Sequence, residues 1–472
     1  MASLENSAAS SLKDEKVTSN AVDAGEPISH DNAKRSWYRS ALFQACVTGM
    51  CAFLSPGLWN SMNALGAGGR QEPYLVNAAN SLVFGLMVVT CFFGSSITNR
   101  VGYRWALALG TAGYAPYAGG LVLNLNTGAE WLVFLGSVTC GLSAGLFWAV
   151  EGAIILGYPE PHKRGRYLAL WLGFRNAGQI VGGIISLALN AKTNKAGSIS
   201  KSTYYAFIAL QCCGPLVAMF LSNPSKVQRA DRSPVKLERH VGFVNEMKET
   251  WEIIKRPEVF MLGVIAIGAQ WPSSYAGTFL SLYFSVRARS LAALCIAILG
   301  VIVNSLLGVF VDSVRFSKKT RARGAFIFIM SLFGGVWIWF TVLQLRYIAH
   351  KPKLDWTDGT SFAEAFVLYL FFQICYFLIQ NMLYWFISQI AREQHELLRL
   401  SSFLRGLESA GSACGYGVSA SKQLPYTVPL GINFALWGLS TVTAWFTVKD
   451  IGIKYNGPAD DKERGRELEE AN

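Results

Sequence analysis

Apolar segments recur along most of the chain and are separated by short polar or charged segments. A membrane-spanning helix needs about 20 mainly apolar residues to cross the hydrocarbon core of a bilayer. An amphipathic helix of a soluble protein would instead place polar residues in every turn, on the face turned to solvent. The pattern therefore predicts an all-α membrane protein.

Twelve such segments can be delimited. The predicted spans cover residues 40–64, 76–98, 105–124, 131–157, 167–190, 203–222, 259–285, 290–311, 324–345, 362–390, 400–421 and 428–448. The longest polar gap follows the sixth segment and divides the spans into two sets of six. The predicted divisions are a disordered cytoplasmic tail at 1–36, an N-terminal half at 37–222, a cytoplasmic linker at 223–258, a C-terminal half at 259–448 and a cytoplasmic tail at 449–472.

Two short motifs recur six spans apart. Residues 146–150 (LFWAV) in the fourth span match residues 383–387 (LYWFI) in the tenth. Residues 174–176 (FRN) in the fifth span match residues 404–406 (LRG) in the eleventh. Together the matches favour an internal repeat of six-helix units, as in many transporters.

The charge distribution predicts the orientation of these spans. Only 15% of the residues are charged, against about 25% in ordinary soluble domains. The net charge of +12 does not indicate nucleic-acid binding, because no basic stretch alternates with stacking aromatic residues. The predicted loops on the side of the chain ends hold roughly twice as many Lys and Arg residues as the other loops. Both termini are therefore predicted to be cytoplasmic.

Four charged residues lie in the interior of predicted spans, away from the span ends: Glu151, Arg175, Arg405 and Glu408. Each costs about 2.5–3.5 kcal/mol on insertion scales, so each is expected to face protein or water. Arg405 and Glu408 have the i, i+3 spacing of an ion pair on one helix face, and Glu151 is the candidate partner of Arg175. We predict that these residues, with Gln179 one turn after Arg175, line a substrate cavity. The alternative is that the charges only fix helix packing.

The first span carries a helix break followed by two amides. Pro56 and Gly57 can bend the helix inside the membrane, and Asn60 and Asn63 lie on one helix face. Their amides need partners, which a neighbouring helix or a water-filled cavity would supply. We assign both asparagines to the predicted cavity, with hydrogen bonding between helices as the alternative.

The loop at residues 95–104 (SSITNRVGYR) resembles the major-facilitator signature G-x-x-x-D-R-x-G-R-R. Ser95 and Asn99 replace the glycine and the acid of that signature. In the family this acid meets helix dipoles and arginines of the other half and stabilises one closed face. The predicted latch residues are Asn99, Arg100, Gly102, Arg104 and, in the second half, Asp312. The alternative is a simple basic cytoplasmic turn.

A narrower resemblance begins in the first span at residues 56–69 (PGLWNSMNALGAGG). This segment resembles the signature of the Unc-ninety-three-like family, in particular its fungal branch. Residues 77–80 (NAAN), 102–105 (GYRW), 151–154 (EGAI) and 165–167 (GRY) also resemble that branch. The resemblance implies a major-facilitator fold with twelve transmembrane helices in two six-helix halves. Animal members of the family are linked to potassium-channel regulation and receptor trafficking, and many others are called transporters.

The function predicted from these features is secondary transport of a small polar or anionic solute by alternating access. The alternative is a non-transporting regulator or trafficking partner of an ion channel or receptor. No Gly-Lys dipeptide occurs, so a Walker A loop is excluded; no catalytic constellation, cofactor or metal site is predicted.

The expected partners are the lipid bilayer and a small solute, or another membrane protein under the alternative, and not nucleic acid. The expected location is the plasma membrane or a vacuolar or endosomal membrane.

Reporter tags test this topology. Tags near Arg232 and at both termini are expected on the cytoplasmic side, and a tag near Asp355 on the opposite side, because an even number of spans separates the chain ends. Antibody access before and after membrane permeabilisation measures the side of each tag. Tags near Arg232 and Asp355 on one side of the membrane would contradict twelve spans.

Overall fold

The structure is a computed structural model that describes residues 36–160, 163–231, 235, 248, 251–313, 315–392 and 394–457. Almost all of the predicted N-terminal tail, part of the predicted linker and residues 458–472 of the predicted C-terminal tail lie outside these residues.

Twelve helical spans follow the predicted order, with boundaries that differ by a few residues. Numbered 1 to 12 in chain order, the spans are Ala41–Ala64, Pro73–Val101, Tyr103–Thr127, Trp131–Gly157, Arg164–Asn190, Lys201–Ala218, Pro257–Tyr283, Val286–Val311, Lys318–His350, Thr360–Ile390, Gln394–Ser419 and Thr427–Val448. Within the described residues, nine helices are long and apolar enough to cross a membrane; spans 6, 11 and 12 fall short by that measure. The chain is an all-α, multi-pass membrane protein with two six-helix halves.

Spans 1, 3 and 7 each contain an irregular turn. In span 3 it lies at Gly113. In span 1 the turn Phe53–Gly57 is π-helical and contains Pro56, which confirms the break expected there, because proline has no N–H for the helix ladder. In span 7 the helix changes at Trp271, immediately before Pro272. Corresponding spans of the two halves therefore each carry an irregularity next to a proline, while the backbone keeps helical φ and ψ at Gly57 and Trp271.

The halves join most closely at one face of the bundle. We call the face with residues 36 and 457 the chain-end face, and the opposite face the Arg289 face. Span 2 packs along span 11, and span 5 along span 8. Near the Arg289 face, the Asn77 amide donates to Thr278 Oγ1 at 2.9 Å and to the Ser419 carbonyl at 3.0 Å. Hydrogen bonds between the halves thus cluster at the Arg289 face.

Glycines bring spans 5 and 11 into backbone contact with spans 1 and 7. A Cβ at Gly178 would lie 2.5 Å from the Phe53 carbonyl oxygen, and one at Gly411 would lie 2.2 Å from the Ile267 carbonyl oxygen. The second glycines of the two G-x-x-x-G pairs, Gly182 and Gly415, approach spans 1 and 7 nearly as closely. The close packing expected of small residues in membrane helices is therefore present in both halves.

Gly411→Ala is expected to destabilise the protein by about 1–3 kcal/mol, because the added methyl group overlaps backbone that cannot move away cheaply. Gly406→Ala, on the same helix, is the control, since no heavy atom lies within 4 Å of a Cβ there. Thermal unfolding of the purified variants in detergent measures both effects. Equal melting temperatures for the two variants would argue against backbone contact at Gly411.

Candidate substrate site

Two arginines from opposite halves meet at Trp148 of span 4. The guanidinium carbon of Arg175, on span 5, lies 5.2 Å from the centre of the Trp148 ring. That of Arg405, on span 11, lies 4.7 Å from the same ring. A guanidinium this close is attracted by the ring quadrupole. The Trp148 indole therefore holds two like charges together at the boundary between the halves, and we call these three residues the arginine cluster.

Arg405 forms the ion pair that its spacing from Glu408 predicts. Arg405 Nη1 lies 3.1 Å from Glu408 Oε2. Gln380 donates to Glu408 Oε1 at 3.1 Å, and the Tyr384 hydroxyl donates to Oε2 at 3.3 Å. Both oxygens of this buried carboxylate are therefore satisfied within the second half, while 27% of the Arg405 side chain stays exposed. The packing interpretation accounts for Glu408 and leaves Arg405 available to a ligand.

The expected pair between Glu151 and Arg175 does not form. No ion-pair distance of 4.0 Å or less joins them, because the Arg175 guanidinium lies against the rings of Trp148 and Trp171, the latter at 6.0 Å. Glu151 Oε2 and Arg175 Nε are both buried without a hydrogen-bond partner among the described residues. A buried polar atom without a partner is costly and marks a place where a ligand, water or proton would be accommodated.

The two amides of span 1 have different environments. Asn80 of span 2 donates to Asn63 Oδ1 at 3.0 Å, and the Tyr117 hydroxyl donates to Asn80 Oδ1 at 2.6 Å. Asn63 thus belongs to a network that joins spans 1, 2 and 3, as the packing alternative expects. Asn60 and Gln179 are half-buried and make no side-chain hydrogen bond to the described residues. Their assignment to the cavity stays a prediction.

The predicted latch residues lie at the chain-end face. Gly102 joins spans 2 and 3 with a positive φ of 82°, and Arg104 Nε donates to the Leu221 carbonyl at 2.6 Å. These two residues shape the turn. Asn99 and Arg100 are exposed at the end of span 2, and Asp312 is exposed at the end of span 8. Their role as a latch stays a prediction.

Several residues of the site were not predicted from the sequence. Trp148 and Tyr384 were noted only as positions of the repeat motif. Span 10 carries a polar stripe at helical spacing, which would have been a detectable signal in an otherwise apolar segment. The stripe consists of Gln373, Tyr376, Gln380 and Tyr384. Its Tyr376 hydroxyl donates to Gln270 of span 7 at 2.6 Å.

Two six-helix halves with irregular turns in spans 1 and 7 and polar groups at their boundary define the architecture of a membrane transport protein. The chain belongs to the Major Facilitator Superfamily, whose family model matches residues 35–419, and it is similar over most of its length to proteins named UNC93-like.

Relatives and solved structures agree with this assignment. The chain is 38% identical to the notoamide biosynthesis cluster protein O' of Aspergillus versicolor, over 89% of this chain and 91% of that protein. It is 29% identical to UNC93-like protein 1 of Arabidopsis thaliana, over 92% and 94% of the two chains. A D-xylose-proton symporter matches with a TM-score of 0.59 at 15% identity, over 88% of this chain and 98% of that chain. The inward-open xylose transporter XylE of E. coli matches with a TM-score of 0.54 at 14% identity, over 88% and 95%. These structures share the fold.

The two arginines are expected to differ in their effect on stability. Arg405→Gln leaves the buried Glu408 carboxylate without its cation, which costs about 3–5 kcal/mol. Arg175→Gln breaks no ion pair and loses only ring contacts worth about 0.5–2 kcal/mol. Thermal unfolding of both variants tests the difference.

The double variant Arg405→Gln/Glu408→Gln is the control, because it removes the unpaired charge together with its partner. It is expected to recover most of the lost stability. An unfolding temperature no higher than that of Arg405→Gln alone would mean that the ion pair does not set the stability.

Proposed function

We propose that the protein is a secondary transporter that moves a small polar or anionic solute by alternating access. The observation that carries the proposal is the meeting of Arg175 and Arg405, from opposite halves, at Trp148. An anion bound between the two guanidinium groups touches both halves at once. Its binding free energy then depends on how the halves are arranged, which is the requirement for shifting a conformational equilibrium.

The arrangement of the halves supports one state of such a cycle. Hydrogen bonds between the halves cluster at the Arg289 face. With the termini in the cytoplasm, as the loop charges predict, this is an inward-facing state. Arg100 and Asp312 are exposed at the chain-end face, as expected for a latch that engages only when that face closes.

Glu151 is the candidate for proton coupling. Its Oε2 is buried and finds no hydrogen-bond partner among the residues that the structure describes, whereas the Glu408 carboxylate is held by three side chains. A proton taken up at Glu151 would remove an unpaired charge beside Arg175 and leave that guanidinium free for an anion. We therefore assign any exchanged proton to Glu151 rather than to Glu408.

The alternative function is that of a regulator or trafficking partner of another membrane protein. Asn99, in place of the acid of the loop signature, weakens the charge latch that a transport cycle would use. Stable co-purification with a channel or receptor, without solute uptake, favours this alternative.

An uptake screen in proteoliposomes tests the transport function. Small anionic, neutral and cationic solutes are compared, and uptake of an anionic or polar solute is expected. Arg175→Gln is expected to weaken binding about tenfold or more, since a hydrogen bond to a charged group contributes about 1.5–3 kcal/mol.

Arg346→Gln is the matched control. Arg346 forms only an exposed ion pair with Glu364, and 62% of its side chain is accessible. Unchanged uptake with Arg175→Gln, or uptake confined to cationic solutes, contradicts a central anion site.

A further inference from the structure

Arg289 is a completely buried arginine at the boundary between the halves. The predicted eighth span, 290–311, leaves Arg289 outside. The structure places Arg289 in the first turn of span 8, with 0% of its surface exposed. A buried guanidinium must find hydrogen-bond acceptors in the protein around it. No carboxylate of the described residues lies within ion-pair distance of it.

Backbone carbonyl groups of the other half take the place of a carboxylate. Arg289 Nε donates to the Leu65 carbonyl at 2.7 Å, and Nη1 donates to the Gly197 carbonyl at 2.9 Å. Nη2 donates to the carbonyls of Gly66 and Arg70, at 2.9 Å each. Arg289 belongs to the second half, and its acceptors all belong to the first half. Four hydrogen bonds from one side chain therefore join the halves.

The segment at the glycine-rich end of the sequence signature supplies three of these four acceptors, the carbonyls of Leu65, Gly66 and Arg70. Gly66, Ala67, Gly68 and Gly69 have φ values of 74°, 45°, 56° and 86°. Positive φ at four consecutive residues requires glycine at most of these positions. Together the four residues turn the chain between spans 1 and 2. A Cβ at Gly66 would also lie 2.7 Å from the Gly277 carbonyl oxygen of span 7. We call residues 65–70 the glycine loop.

We propose that Arg289 is the gate of the Arg289 face and that the glycine loop is its receptor. Opening this face separates the halves, so the four side-chain hydrogen bonds must break together. The backbone N–H groups of Val286 and Arg287, which donate to the Lys195 and Thr193 carbonyls at 3.1 Å each, break with them. A contact set of this kind gives two discrete states. Within the described residues the gate has no acid partner, so its strength depends on the geometry of the four carbonyl acceptors.

Arg287 provides a matched comparison two residues away. Its guanidinium pairs with Asp355 of its own half, with Nε 2.8 Å from Oδ1. The Arg287 guanidinium beside Asp355 holds the pKa of that carboxyl well below its usual range. Its side chain also lies over the Trp356 ring, 4.5 Å from the ring centre. The Arg287 side chain is therefore committed to the second half and does not join the halves.

Distances between spin labels at the Arg289 face test the gate without any substrate. Glu72 and Lys422 suit the labels, because both are exposed and face each other across the halves at 3.7 Å. They are replaced by cysteine in a background in which the exposed Cys212, Cys213 and Cys414 are changed to serine. Arg289→Gln is expected to raise the ratio of long to short label distances by about tenfold or more, because it removes charged hydrogen bonds that exist only in the closed state.

Arg289→Lys and Arg287→Gln complete the experiment. The lysine variant keeps the charge but carries all its donors on one nitrogen, so an intermediate ratio of long to short label distances is expected. If the glutamine variant does not fold, the lysine variant takes its place in the test. Arg287→Gln is expected to leave the ratio at that of the parent protein. An unchanged ratio in folded Arg289→Gln or Arg289→Lys, or an equal rise in Arg287→Gln, would overturn the gate.

Discussion

The absence of water from the hydrocarbon core is the constraint on which this structure depends. Each buried polar group must find its partner inside the protein or bear the cost of lost hydration. The second half meets the constraint at Glu408, which is held by Arg405, Gln380 and Tyr384. The boundary between the halves meets it at Arg289 through carbonyl groups alone. Hydrogen bonds and ion pairs of these buried side chains thus hold neighbouring helices together.

The constraint is only partly met beside the arginine cluster and at several other buried positions, for example Gln211 and Asn433. Arg175 Nε and Glu151 Oε2 are buried and have no hydrogen-bond partner in the described part of the chain, although glycine contacts pack the helices around them closely. Natural proteins keep such groups mainly at functional sites, because elsewhere an apolar residue of similar size would be more stable. What distinguishes Arg175 from the other positions is that its guanidinium meets Arg405 of the other half at Trp148.

The spacing of apolar segments between polar ones predicts the order of the twelve spans, although spans 6, 11 and 12 are less clearly apolar or long than the others. Local spacing predicts the Arg405–Glu408 pair because i, i+3 residues share a helix face. The expected Glu151–Arg175 ion pair was wrong because the Arg175 guanidinium lies against the rings of Trp148 and Trp171, a contact that the order of residues does not indicate. Arg289 was misplaced because hydropathy treats every charge as a reason to end a span. Every residue has a backbone carbonyl group, so the sequence does not indicate which of them will accept hydrogen bonds from a buried charge.

The gate and the arginine cluster lie on neighbouring helices, and that packing offers a route between them. Span 8 carries Arg289 and packs along span 5, which carries Arg175. A Cβ at Gly183 of span 5 would lie 2.9 Å from the Leu294 backbone of span 8, so the two helices touch between the two arginines. Backbone contact of this kind resists small independent movements, because closely packed interiors are not continuously deformable. The contact between Gly183 and Leu294 lies between Arg289 and Arg175 on the boundary of the halves, so a separation of the halves at Arg289 would have to move this contact as well.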